Sequence, residues 1–232
     1  MQRFTPLVFV DDLASLEVSA ELGHHLGTVR RLRVGDQLFV GDGLGSVRAV
    51  EISAVRPRVR LTPVAEIQTL VRPEPPVGIA MFLPSNERLA WAVQKLTEVG
   101  VDRIDLLIDA GDRRGGAKLS DAGMARLNRI AREAAQQSEQ PWLPRVYPPV
   151  DAKTFFARAN HGVAVLDPAG GHLMSNTTTL VIGPESGKFF SPPEAPRVSL
   201  GLPILRIETA AVAGAVVLAS LRASLVCICD KF

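Results

Sequence analysis

The hydrophobic pattern of the chain changes at residues 68–76, a segment that contains three prolines. Proline fixes φ and has no amide hydrogen, so this segment is incompatible with a regular helix or an interior strand. Before it, apolar residues form short β-type runs; after it, strand-like runs alternate with helical spacing. The pattern predicts two domains, residues 1–70 and 77–232, joined by a linker at residues 71–76.

The N-terminal part is predicted to be rich in β-strands. Apolar runs of strand length occupy residues 7–10, 37–40, 47–52 and 56–61. Asp42-Gly43 separates the second run from the third, and Asp-Gly is a strong hairpin signal because glycine accepts the positive φ that such turns need. A small β-rich domain is therefore expected here.

The C-terminal part is predicted to alternate between strands and helices. Strands are expected at residues 77–83, 103–109, 162–166, 178–182 and 197–200, and helices after Ser85, at 120–138, at 152–159 and from Ile207 onwards. Such alternation implies an α/β fold with a mostly parallel sheet that helices cover on both faces. Ligands of open parallel sheets bind beyond the carboxyl ends of the strands, so a site is expected there.

Segments with glycine and proline follow three of these strands, at residues 166–171, 183–187 and 200–206. Glycine lets backbone N–H and C=O groups approach a ligand closely, and proline stiffens the loop. Three such loops side by side would form a pocket of backbone donors and acceptors that suits the edge of an adenine ring. Any one of them alone is better explained as an ordinary tight turn.

Several other kinds of site are not supported. No P-loop or Gly-x-Ser-x-Gly motif is present, and the glycines of residues 41–45 fall at the predicted hairpin, where a dinucleotide-binding loop does not occur. The four histidines and the cysteine pair Cys227 and Cys229 lack metal-ligand spacing, so no metal is expected. Scarce cysteine fits a reducing cytoplasm, and the longest apolar run, residues 209–221, is shorter than the ~20 residues of a membrane span.

The charge balance is nearly neutral, and its composition is unusual. A net charge of +2 is no evidence for a polyanionic partner. Of the 26 basic residues, however, 21 are arginine, whose planar guanidinium suits phosphates and bases. GC-rich coding is an equally good explanation of that preference.

Two C-terminal motifs resemble the signatures of the 16S ribosomal RNA uridine-N3 methyltransferases. They are Gly183-Pro184-Glu185-Ser186-Gly187 and the sequence LGLPILRIETA at residues 200–210. Residues 91–100 and 133–138, and residues 25–36 with Asp42-Gly43 in the N-terminal part, are similar to further conserved blocks of that family. The resemblance therefore extends over nearly the whole chain.

The resemblance implies a fold, a cofactor and partners. The family belongs to the SPOUT class, whose parallel sheet carries a C-terminal trefoil knot, and it has a small N-terminal β-barrel of the PUA or OB-like kind that binds RNA. The implied methyl donor is S-adenosylmethionine (SAM). The implied partners are 16S ribosomal RNA or the 30S subunit, and a second copy of the chain bound through the knot domain.

The resemblance also implies roles for individual residues. Cofactor binding falls on Leu166, Gly183, Pro184, Glu185, Gly187, Leu200, Gly201, Ile204, Leu205 and Thr209. RNA binding falls on Arg3, His25, Arg30, Arg31, Arg33, Arg113, Arg114 and Lys118. Glu185 and Arg206 are the catalytic candidates. Glu185 would orient the base, accept a proton or hold backbone amides; Arg206 would stabilise the uridine oxygens or pair with Glu208.

Some positions depart from the family pattern. They are Gln140 and Trp142 at commonly basic positions, Ser186 in place of a glycine, the lengthening pair Lys188-Phe189, and Pro203 in place of an arginine. These changes concern substrate contacts more than cofactor binding. They leave two alternatives open: a SPOUT methyltransferase acting on another RNA or atom, and a non-catalytic RNA-binding factor of ribosome assembly.

Overall fold

The computed structural model describes residues 6–108, 119–159 and 161–226. The chain divides into two compact units. The first contains Met1–Arg72 and Ala135–Leu143, and the second contains Pro73–Ala134 and Pro144–Phe232. No sequence signal indicated that residues 135–143 belong with the first unit.

The first unit is built on a five-stranded sheet. Its strands are β1 (Leu7–Phe9), β2 (Gln37–Gly41), β3 (Ser46–Ala54), β4 (Arg60–Pro63) and β5 (Gln68–Thr69). They follow the order β1-β2-β3-β4, β5 also pairs with β3, and only β1 with β2 is a parallel pair. As the Asp-Gly signal predicted, β2 and β3 form an antiparallel pair on either side of Asp42-Gly43. Leu38 and Val40 of β2 face the core, whereas Phe39 between them is exposed.

Two features of the first unit differ from the sequence prediction. The strand predicted at residues 56–61 begins only at Arg60, since Pro57 has no amide hydrogen for a strand ladder. An unpredicted helix, α1 (Ala20–His24), continues into a π-helical turn, His25–Val29. Ser19 caps α1, because its Oγ accepts a hydrogen bond from the amide of Leu22 at 3.1 Å.

The second unit is a six-stranded parallel sheet with helices. Its strands are β6 (Gly78–Phe82), β7 (Arg103–Ile108), β8 (Arg145–Asp151), β9 (Val163–Gly171), β10 (Thr179–Ile182) and β11 (Arg197–Val198), in the order β11-β9-β10-β6-β7-β8. The helices are α2 (Asn86–Val99), α3 (Asp121–Gln137), α4 (Ala152–Arg158) and α5 (Ile207–Arg222). Every residue of β6 and β10 is buried, so both faces of the sheet are covered. The prediction of a parallel sheet flanked by helices is confirmed.

Two strands of this sheet were predicted incorrectly. The edge strand β8 was missed, because Pro148 and Pro149 argue against a strand. β9 does not end at Leu166 but runs to Gly171, where it pairs with Val198 of β11. The predicted loop at residues 166–171 is therefore extended strand.

The C-terminal helix α5 packs on the middle of the sheet. The chain returns from the edge strand β11, and α5 contacts β6, β10 and α2. At its far end, the partly buried guanidinium of Arg222 donates to Asp102 Oδ2 at 2.6 Å and to the carbonyl of Gly100 at 3.0 Å. Within the described ranges, no helix combines the length and apolarity of a bilayer span. The trefoil knot stays a prediction.

Residues 135–143 contribute to the core of the first unit. Ala135 and Leu143 pack with Leu7, Phe9 and Val47. Leu44 and Trp142 form an antiparallel bridge, and the amide of Gly45 donates to the carbonyl of Pro141 at 3.1 Å. The indole of Trp142 lies so close to Gly45 that a Cβ at that position would overlap it. Trp142, a departure from the family pattern, thus has a packing role.

This packing predicts that Gly45→Ala destabilises the protein more than Gly35→Ala. Both glycines have positive φ, +101° and +92°, so both variants incur the same kind of backbone strain. Only the Cβ at position 45 meets the indole; none of the surrounding atoms is within 4 Å at position 35. The difference in free energy of unfolding, measured with urea, should be about 1–3 kcal/mol. Equal losses would contradict this account.

Candidate active site

A cavity of about 360 Å³ opens at the carboxyl edge of the parallel sheet. Its walls are residues 165–168 of β9, residues 182–187 and Phe189 after β10, and residues around 199–207 after β11. This is the edge at which the parallel arrangement predicts a ligand. Two glycine-containing loops and one extended strand therefore form the walls, where the sequence had predicted three loops.

Most of the predicted cofactor residues line this cavity. The eight that do so are Leu166, Gly183, Pro184, Glu185, Gly187, Leu200, Ile204 and Leu205. Gly201 lies between two lining residues without being one, and Thr209 is exposed in the first turn of α5. The cavity walls are mainly apolar, and their charged side chains are Asp167, Glu185 and Arg197.

Asp167 and Arg197 form an ion pair in the cavity wall that the sequence had not indicated. Arg197 Nη1 donates to Asp167 Oδ2 at 2.8 Å, and the amide of Ala169 donates to Asp167 Oδ1 at 2.9 Å. These hydrogen bonds, the amide first, hold the pKa of Asp167 below its usual range. Asp167 is therefore an ionised carboxylate at neutral pH, with both oxygens engaged.

Phe189, from the lengthened loop, forms another part of the wall. Its ring packs edge to face on Phe82, with 5.1 Å between the ring centroids. It also covers Gly183, where a Cβ would lie 2.7 Å from Phe189 Cε1. The adjacent Phe190 is half exposed and contacts Phe156, away from the lining residues. The lengthening pair thus supplies a partly buried aromatic ring, and the residue after it supplies a surface ring.

A second, more open cavity of about 540 Å³ adjoins the first. It is lined by Arg88, Glu185, Ile204, Leu205 and Arg206. Three of these residues, Glu185, Ile204 and Leu205, line both cavities and form their shared wall. Of the two catalytic candidates, Glu185 lies in the shared wall and Arg206 faces only the second cavity.

The carboxylate of Glu185 is paired with an arginine that the sequence did not single out. Arg88 Nη1 donates to Glu185 Oε1 at 2.6 Å. This hydrogen bond, the charge of Arg88 and then the charge of Arg206 hold the pKa of Glu185 below its usual range. The carboxylate is therefore ionised at neutral pH and is a weak base.

Two other predicted interactions, backbone amides bound to Glu185 and an ion pair between Arg206 and Glu208, are absent among the described residues. No backbone amide there donates to Glu185; the loop is closed instead by Gly187 N–H and the carbonyl of Pro184, at 2.8 Å. Glu208 pairs with Arg88, at 3.5 Å, and the predicted pair with Arg206 is absent in the described part of the chain.

The RNA-binding candidates are only partly described. Arg3, Arg113, Arg114 and Lys118 lie outside the described residues. In the first unit, Arg30 Nε donates to His25 Nε2 at 3.2 Å, and Arg31 and Arg33 are exposed. The same unit has a cavity of about 580 Å³ whose lining includes His24, Thr28, Arg56 and Arg58, none of which the sequence indicated.

The fold and the cavities define a two-unit α/β protein with a ligand site at the carboxyl edge of a parallel sheet. Residues 72–219 match the RNA methyltransferase domain family, and residues 18–62 match the RNA methyltransferase PUA domain. The chain therefore belongs to the RNA methyltransferase family. The first unit is PUA-like and the second is of the SPOUT class, as the sequence resemblance predicted.

Individual relatives are similar over most of their length. A ribosomal RNA small subunit methyltransferase E from Mycobacterium bovis is 31% identical over 88% of this chain and 87% of its own. A crystal structure described as that of a probable rRNA methyltransferase from Porphyromonas gingivalis superposes with a TM-score of 0.77 at 24% identity, covering 95% and 99% of the two chains. A Legionella pneumophila protein described as a methyltransferase, in complex with SAM, gives 0.71 at 25% identity, covering 95% and 98%.

The contact between Gly183 and Phe189 predicts a non-additive pair of substitutions. Gly183→Ala should destabilise the protein by about 1–3 kcal/mol, because Phe189 is held by Phe82 and cannot move aside freely. In a Phe189→Ala background the same change should cost little. Urea unfolding of the two single variants and the double variant measures this coupling, and equal costs in both backgrounds would disprove the contact.

Proposed function

We propose that the protein is a SAM-dependent methyltransferase that methylates N3 of a specific uridine in 16S ribosomal RNA. The observation that carries the proposal is the pair of adjoining cavities. The first is mainly apolar and contains the Asp167–Arg197 ion pair, the second is lined by Arg88 and Arg206, and Glu185 lines both. Methyl transfer needs a donor and an acceptor whose reacting atoms come within roughly 3–3.5 Å of each other, so two cavities that share lining residues suit it.

The residues of the first cavity fit SAM. Its volume of about 360 Å³ lies in the range of small-molecule sites, and its loops offer backbone groups to an adenine edge between apolar walls. The Legionella relative, 25% identical, holds SAM. When bound, SAM supplies a sulfonium methyl group as the electrophile. No metal is required for this transfer.

The second cavity fits the base that accepts the methyl group. Uridine N3 is protonated at neutral pH and is hidden by base pairing, so the base must be unpaired before it enters. Negative charge then grows on O2 and O4, and Arg206 is placed to stabilise it. Glu185 is a weak base with a lowered pKa, so it would orient N3–H by a hydrogen bond, and the N3 proton would pass to solvent water as the methyl group leaves SAM.

The partner that we propose is small-subunit ribosomal RNA, free or within the 30S particle. The Mycobacterium bovis relative is a ribosomal RNA small subunit methyltransferase. The PUA-like unit presents exposed Arg31 and Arg33, which would contact phosphates, so binding should weaken as salt rises. A homodimer through the second unit and a cytoplasmic location belong to the same proposal.

Binding of SAM should depend on Phe189 and not on Phe190. Phe189→Ala removes an apolar wall of the first cavity, and we expect a loss of affinity of about ten-fold or more. Phe190→Ala removes a surface ring of the same loop and is the matched control. Calorimetric titration with SAM measures both. Equal affinities in the three proteins would contradict the assignment of this cavity to SAM.

The product is tested in cells with and without the gene. Small-subunit RNA from the deletion strain should lack one N3-methyluridine, detected by mass spectrometry of nucleosides, and complementation with the wild-type gene should restore it. Arg206→Ala should bind SAM normally but fail to restore the methyl group.

The alternatives predict different results in the same experiment. A methyl group missing from another atom or another RNA would indicate a different SPOUT specificity. Unchanged methylation, together with no binding of SAM, would indicate a non-catalytic assembly factor.

A further inference from the structure

Arg88 occupies an unusual position for a cation. It is the third residue of α2, and a positive charge in the first turn of a helix opposes the helix dipole. Its Nε donates to Ser85 Oγ at 3.1 Å, so this N-terminal serine orients Arg88 and makes no capping bond to the backbone. Two carboxylates from distant parts of the chain, Glu185 and Glu208, offset the unfavourable placement.

The two carboxylates differ sharply in exposure. The side chain of Glu185 is 61% exposed on a loop, whereas that of Glu208 is 9% exposed in the first turn of α5. Glu208 Oε2 lies 3.5 Å from Arg88 Nη1 and accepts no hydrogen bond from the described residues. A buried carboxylate oxygen without a hydrogen bond is costly, and the nearby guanidinium is the group that compensates its charge.

From this geometry we propose that Arg88 is a positioning residue: anchored by Glu208 and Ser85, it holds the Glu185 carboxylate at the wall between the two cavities. The inference rests on the proposed function, because Glu185 is useful there only if a base enters the second cavity. Without Arg88, an exposed glutamate on a loop would sample several rotamers, and few would face N3–H. Glu208 acts one step further away, by fixing Arg88.

The test is a double-mutant cycle on methyl transfer to small-subunit RNA. Arg88→Met and Glu185→Gln should each lower kcat about ten-fold or more. Arg88 does not line the first cavity, so Arg88→Met should leave the Kd for SAM unchanged. Because Arg88 acts through Glu185, the double variant should be no slower than Glu185→Gln alone. Glu208→Gln should lower kcat several-fold, and Arg88→Lys, which keeps the charge, should recover part of the loss.

The pH dependence gives a second readout. The Arg88 hydrogen bond is the main cause of the lowered pKa of Glu185, and the charge of Arg206 lowers it further. Glu208 is the second carboxylate paired with Arg88. Glu185 must be ionised to accept a bond from N3–H, so activity is lost as pH falls through its pKa. This loss forms the acid limb of the pH–rate profile. Arg88→Met removes the main cause of the lowered pKa, so in this variant the acid limb should move to higher pH.

Lys95→Met is the control for charge removal from α2. Lys95 pairs with Glu98 of the same helix at 2.8 Å and lines neither cavity, so kcat and the acid limb should stay at wild-type values. The inference would be overturned if the double variant lost kcat by the product of the two single losses, or if Arg88→Met kept the wild-type kcat. If Arg88→Met does not fold, Glu208→Gln with Glu185→Gln completes the same cycle. A wild type that transfers no methyl group would overturn the proposed function and this inference together.

Discussion

The arrangement of the second unit follows from the complete burial of its central strands. All residues of β6 and β10 are buried, so their backbone groups pair within the sheet and their side chains meet helices on both faces. Neither β6 nor β10 carries a charged residue, and the charged groups of the site lie at the ends of the strands. The carboxyl edge gathers Asp167, Glu185 and Arg197, and both cavities open there.

Helix α5 connects the two ends of that sheet. Its first turn carries Ile207 and Glu208 at the carboxyl edge, next to the cavities. Its last residue, Arg222, reaches Asp102, which directly precedes β7 and also accepts a hydrogen bond from the amide of Val77 before β6, at 2.7 Å. A largely buried ion pair therefore anchors α5 at the amino edge of the sheet, and the opposite end of the helix presents Ile207 and Glu208 to the site.

Sequence patterns predicted what depends on local periodicity and failed where distant contacts decide. The apolar runs located β6, β7 and β10, and the glycine-containing motif at residues 183–187 located the loop that lines both cavities. β8 was missed because its prolines are tolerated only at a sheet edge, which no local pattern shows. Arg88 was missed for a related reason. In the sequence it is an ordinary helical arginine, and only the folded structure shows its contact with Glu185, 97 residues away.

The charges around the second cavity bear on which part of an RNA would enter it. Arg88 and Arg206 are balanced by Glu185 and Glu208, so the four formal charges sum to zero. Pro203, which replaces a commonly basic residue, lines the first cavity and adds no charge. A balanced site disfavours a phosphate, which needs excess positive charge, and suits a neutral base that becomes anionic only as N3 loses its proton. Under the proposed function, phosphate contacts would fall to exposed arginines elsewhere, such as Arg31 and Arg33 of the PUA-like unit.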